Sequence, residues 1–186
     1  MPKATHFPRL LPGDQVGVIG ESRFSKAIRW CEQFLPDKWR RGPPRFSHIA
    51  VVYRPHILIE AVGRIRLAPL SEYENSRVVV YRRKGLEDWQ RKMYADAMLE
   101  DWDQRYGWGK IVLLLLDALF GTYWFTQRFG VTSYRVCSEY AAYWWKQVFG
   151  DDLVEDTDWK DVSPQLEIDY ISNRPDLWEF VLDATT

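Results

Sequence analysis

Two cysteines and three histidines are the only thiols and imidazoles in a chain of 186 residues. Cys137 opens the stretch CSEYAAYWWKQVFG, where Ala141, Trp144, Trp145 and Val148 recur at helical spacing and Gly150 supplies a stop. The pattern predicts a helix that begins at or beside Cys137. Free backbone N–H groups and the dipole at a helix start favour an anion, so a thiolate is stabilised there. The same N–H groups can hold the oxyanion of a tetrahedral intermediate. That is the setting of a nucleophilic cysteine; the plainer alternative is a small side chain packing a helix end. Cys31 differs. It lies on the apolar stripe of Phe24, Ala27, Ile28, Cys31 and Leu35 in SRFSKAIRWCEQFL, and reads as a packed core cysteine.

A nucleophile needs a base. His48 interrupts FSHIAVVY and Glu60 interrupts ILIEAV, two strand-like runs that are otherwise apolar. A buried imidazole or carboxylate is costly unless paired, so the two are candidates for each other. Their pairing depends on register. If the hairpin closes through Arg54, Pro55 and His56, with Tyr53 opposite Ile57, then His48 lies opposite Val62 and Glu60 is its diagonal neighbour on the same face. A two-residue turn would pair His48 with Ala61 and send Glu60 to the other face. The sequence leaves this fork open. In the paired case Glu60 accepts from one ring nitrogen and the other is left to act as a base. The alternative is a buried His–Glu pair that only satisfies itself. His6, in an N-terminal arm, and His56, in a turn, read as solvated.

The bulk numbers narrow the function classes. Length fits one domain with a core of its own, here residues 1–186 with a Pro-punctuated arm over 1–12. Net charge is −1, so nothing in the balance draws the chain to nucleic acid. Neither cysteine belongs to a CxxC or Cys/His cluster of zinc spacing, and no metal or cofactor is expected. GDQVGVIGES lacks both GxGxxG and a P-loop lysine. The start, MPKATHFPRLLPGDQ, has no apolar core of signal-peptide length, and a cytoplasmic protein is expected. The most apolar run, IVLLLLDALFG, is broken by Asp117 and falls short of the roughly 20 residues of a spanning helix. Residues 111–129 read as core, with contact at a membrane surface as the alternative.

The elements read as a strand in GDQVGVIG, a helix in SRFSKAIRWCEQFL, strands in FSHIAVVY, ILIEAV and RVVVYR, a helix in LEDWQRKMYADAMLEDWDQR, and the Cys137 helix. The tail, with SPQ and NRPDLWEFVL, reads as loop with a last short strand. The order is β-α-β-β-β-α-α, hence α+β.

The PGD start, FSHIAVVY, LIEAV followed by PLSEY, and YRVCSEYAAYWW together resemble the permuted NlpC/P60 cysteine hydrolases, the YiiX/YebB-like branch of the papain-like enzymes. In that branch the His strand precedes the Cys helix, as His48, Glu60 and Cys137 do here; the matching blocks run from about Leu11 to Phe149. The resemblance implies a papain-like α+β fold, with a small antiparallel sheet packed against the Cys helix. It implies Cys137 as nucleophile, His48 as general base and Glu60 as the residue orienting His48. Backbone N–H groups of Cys137 and Ser138 would bind the oxyanion, assisted by a Tyr134 or Tyr106 hydroxyl. Related sequences often carry a Tyr-Asp pair ahead of the cysteine, where this one has RYGWG around Tyr106. The expected reaction is amide hydrolysis on a peptide-like substrate. The alternatives are a thioesterase or lipid acyl hydrolase or acyltransferase of the same fold, and a binding module without catalysis. Oligomeric state is not addressed by the sequence.

Overall fold

The computed structural model describes residues 9–34, 42–104 and 136–183, with positions 112, 113, 116, 120 and 128 between the last two segments. Runs rich in Val and Ile form strands, since β-branched side chains pack well on a pleated surface. The strands are β1 (Gln15–Ile19), β2 (His48–Arg54), β3 (Ile57–Val62), β4 (Arg64–Pro69), β5 (Arg77–Arg83) and β6 (Trp178–Asp183). They form one antiparallel sheet in the order β4-β3-β2-β1-β5-β6. The described helices are α1 (Arg23–Glu32), α2 (Asp88–Ala97), α3 (Cys137–Phe149) and α4 (Pro164–Asn173). The chain is α+β, as its sequence pattern predicts.

Three expectations change. The sheet gains β4, which the sequence reading passes over. The tail holds a full helix, α4, ahead of β6 rather than a loop. The helix expected from Leu86 to Arg105 is shorter: α2 spans Asp88–Ala97 and tightens into a 3₁₀ turn at Met98–Asp101.

Alternate side chains of the strands feed two cores. Ile49, Val51, Tyr53, Ile59 and Ala61 meet residues of α2, α3 and α4, including Tyr94, Cys137, Tyr140 and Ile168. Val16, Val18, Ala50, Val52, Leu58 and Val80 form a smaller cluster with Leu10 and Leu70. The strands are thus covered on both faces, which explains their nearly continuous apolar character.

α3 is fixed by polar contacts as well as by packing. The buried Tyr94 hydroxyl of α2 donates to the Ala141 carbonyl at 3.0 Å. The Trp144 indole donates to Asp101 at 2.9 Å, and the Tyr140 hydroxyl donates to the Met98 carbonyl. Gly150 ends the helix in the left-handed region, at φ 83°, where a glycine pays no Cβ penalty. α4 lies tight against β1: a Cβ on Gly17 would stand 2.8 Å from Ile168 Cδ1. Among the described residues, no helix is long and apolar enough to cross a membrane. Most of residues 111–129 lies outside the described residues, and of its described positions Val112 and Phe120 are exposed.

Candidate active site

The β2–β3 hairpin combines both branches of the register fork. Its turn has two residues, Pro55 and His56, since Arg54 pairs with Ile57. A bulge at Tyr53 then takes up one residue, so Val52 pairs with Leu58 and Ala50 with Glu60. His48, two residues before Ala50, therefore shares a face with Glu60. His48 Nε2 lies 2.9 Å from Glu60 Oε2. His56 is exposed, with φ 66°. His6 lies outside the described residues.

The approach to β2 is held from both sides. Gln165 of α4 accepts from the Arg45 and Phe46 amides at 2.5 and 3.0 Å. Its own amide donates to Glu32 of α1 at 3.1 Å. The Ser47 amide donates to the Val18 carbonyl at 3.0 Å. His48 thus starts β2 from a braced position.

Cys137 is the first residue of α3 and is 4% exposed. Its side chain adjoins His48 and supports a charge on that ring. With Nε2 engaged by Glu60, Nδ1 is the nitrogen left for the sulfur. The two residues approach from different sides of the sheet. Cys137 belongs to the helical core, while Glu60 faces the side on which Tyr73 packs with the second cluster. They meet at the end of β2, where His48 is the first strand residue.

No side chain caps α3 at Val136, and Glu139 accepts from the Val136 amide at 3.3 Å. The first-turn N–H groups of an α-helix have no intrahelical acceptor, so those beside Cys137 are available to an anion. Ser138 is fully buried, and its hydroxyl is committed to the Val162 carbonyl at 2.6 Å. Only its backbone N–H remains for the expected oxyanion role. Tyr134 and Tyr106 lie outside the described residues.

Burial alone would discharge the imidazole. The adjoining Cys137 and Glu60 outweigh it and raise the His48 pKa to about 10. Burial also opposes the charge of Glu60, but donors from His48 and Tyr73 and the Arg66 charge hold its carboxyl below its ordinary value. An imidazolium between a sulfur and a carboxylate is a nucleophile–base–orienter arrangement.

Sequence reasoning missed two residues here. Arg66 of β4 stands directly opposite Glu60. Its Nε and one terminal nitrogen lie 2.9 and 2.7 Å from Glu60 Oε1. Tyr73 closes the 3₁₀ turn Leu70–Tyr73 that follows β4, and its hydroxyl donates to Glu60 Oε2. An alternating RIRLAP after the Gly63 turn is the signal that could have revealed the strand, and with it Arg66.

No family model matches the sequence, and no curated protein matches it. Among solved structures the chain is similar to the crystal structure of the metalloprotein yiiX from Escherichia coli O157:H7, DUF1105. The TM-score is 0.55 at 20% identity, over 96% of this chain and 90% of that one. The likeness shows a shared fold across nearly the whole of both chains.

Proposed function

We propose that the chain is a cysteine hydrolase of the permuted papain-like type that cleaves an amide bond. Cys137 is the nucleophile, His48 the general acid–base, and Glu60 the group that orients the ring. One observation carries this reading: a cysteine at the first position of a helix adjoins an imidazole whose Nε2 is held by a buried carboxylate. The fold shared with yiiX is consistent with it.

Cys137 attacks the carbonyl carbon as a thiolate, its proton residing on His48. The carbonyl oxygen becomes an oxyanion, stabilised by the backbone N–H groups of Cys137 and Ser138. His48 gives its proton to the departing nitrogen, the C–N bond breaks and a thioester remains on Cys137. Water then loses a proton to His48 and attacks the thioester. The C–S bond breaks, the acid leaves, and the proton returns the site to its starting state. Glu60 keeps its charge throughout.

The fold neighbour is described as a metalloprotein. The donors here do not fit a metal centre. Among the described residues no three His, Cys, Asp or Glu are grouped as ligands, and both oxygens of Glu60 are taken by His48, Tyr73 and Arg66. No step is routed through a metal.

The test compares wild type with Cys137→Ala on peptide amides and on p-nitrophenyl esters of graded acyl length. Amide turnover that Cys137→Ala abolishes supports the reading. Turnover that survives in Cys137→Ala refutes it. Ester turnover graded by chain length, with no amide cleavage, would replace the amidase with an acyl hydrolase.

A further inference from the structure

We propose that Arg66 and Tyr73 are positioning residues: together they hold both oxygens of the Glu60 carboxylate, and Tyr73 also walls the His48 ring, so the pair fixes the angle at which the imidazole meets Cys137. This rests on the hydrolase reading above. A carboxylate offers about four acceptor positions. Glu60 Oε2 receives His48 Nε2 at 2.9 Å and the Tyr73 hydroxyl. Oε1 receives Arg66 Nε at 2.9 Å and an Arg66 terminal nitrogen at 2.7 Å. Both oxygens are thus engaged, by three hydrogen bonds and an ion pair.

Two consequences follow. Glu60 cannot turn without breaking a contact, so the acceptor for Nε2 is fixed in space. Its charge is also matched by Arg66 at one oxygen and His48 at the other, so it anchors the imidazolium and does not relay its charge. Glu60 is 1% exposed, and a charge buried that deeply persists only with such a set of donors.

Tyr73 contributes a second constraint. Its ring lies 16° from parallel to the imidazole, with centroids 6.2 Å apart. One side chain therefore shares the acceptor of His48 and stands over its face. The chain economy is clear: β4 and the 3₁₀ turn after it deliver both residues within eight positions of sequence.

The test measures iodoacetamide alkylation of Cys137 from pH 4 to 10 in a Cys31→Ser background, with thermal melts alongside. Wild type is expected to react well on the acid side of an ordinary thiol. Tyr73→Phe keeps the wall and loses the hydroxyl; the acid limb should move upward modestly. Tyr73→Leu loses both, and Arg66→Met removes the charge-assisted Nε bond and the ion pair to Glu60. Each should cut the rate at pH 6 by about tenfold or more, the scale of one such bond. Arg66→Lys should recover part of that loss. A wild type with the profile of a free thiol overturns the hydrolase reading, and this proposal with it. An acid-shifted wild type whose profile is untouched in Tyr73→Leu and Arg66→Met, even if they melt earlier, overturns the proposal and leaves the reading standing. If Tyr73→Leu does not fold, Tyr73→Phe and the two Arg66 variants decide.

Discussion

Glu60 and Glu167 are the same side chain at the same depth, 1% and 0% exposed, yet their carboxyls shift in opposite directions. Burial pushes both carboxyls upward. At Glu60, donors from His48 and Tyr73 and the charge of Arg66 reverse that push. At Glu167 of α4, neither oxygen meets a donor among the described residues, and the neighbouring Cys137 pushes further in the same direction. The charged form is favoured at Glu60 and disfavoured at Glu167. Depth alone does not set charge: the donors at that depth do. The cysteines repeat the lesson. Cys31, buried on α1, has its thiol pushed up to about 11 by burial and then by Glu32. Cys137 is as buried but adjoins an imidazole whose Nε2 an anion holds in place.

The sharpest way to break this contrast is at Glu60. Glu60→Ala leaves the ring unoriented, and kcat/KM should fall about 10²–10⁴-fold, the range of a general acid–base contribution. Stability should fall by about 3 kcal/mol in urea melts, since the donors lose a buried acceptor. Glu167→Leu should act in the opposite sense. The raised Glu167 carboxyl contributes stability that is present below its ordinary value of 4.5 and is lost as pH rises through its folded value. The leucine variant should therefore match or exceed wild type by about 1–2 kcal/mol at pH 8, and its advantage should shrink toward pH 4. A loss of stability at pH 8 as large as that of Glu60→Ala would break the contrast.

The lowered Glu60 carboxyl has the opposite sign. Its stability is present above 4.5 and is lost as pH falls through its folded value. Melts below pH 4.5 should be flatter against pH in Glu60→Gln than in wild type. The smallest effect belongs to Cys31→Ser. Turnover should change less than about twofold, with a stability cost of about 1 kcal/mol for a buried hydroxyl.

Much of the site was readable before any coordinates. Cys137 at a helix start, and Gly150 at its stop, followed from local rules that depend on a dozen adjacent residues. The His48–Glu60 pairing was one of two outcomes the sequence allowed, and the structure has it. Pattern left the register open, and could not show that a two-residue turn and a bulge at Tyr53 together restore the phase. α4 was missed although its start is ordinary: the Ser163 hydroxyl accepts from the Leu166 amide at 3.2 Å, with Pro164 in the first turn. The SPQ signal of a loop is also the signal of a capped helix, and the packing of Ile168 on Gly17 decides between them. β4 alternates basic and apolar residues because it is the edge strand, and its basic residue Arg66 has no visible purpose until Glu60 stands opposite. Partners set by strand pairing are not adjacent in sequence, so the local pattern is silent about them.

The measurement closest to the central claim is the ¹⁵N spectrum of the His48 ring, assigned by substitution against His6 and His56. The ring charge contributes stability that is present below 6.5 and is lost as pH rises through about 10. At pH 8 the account predicts both ring nitrogens protonated in wild type, and a titration midpoint shifted downward in Cys137→Ala, where the sulfur no longer supports the charge. A ring already neutral at pH 8 in wild type, or one whose midpoint is the same with and without the sulfur, would contradict it.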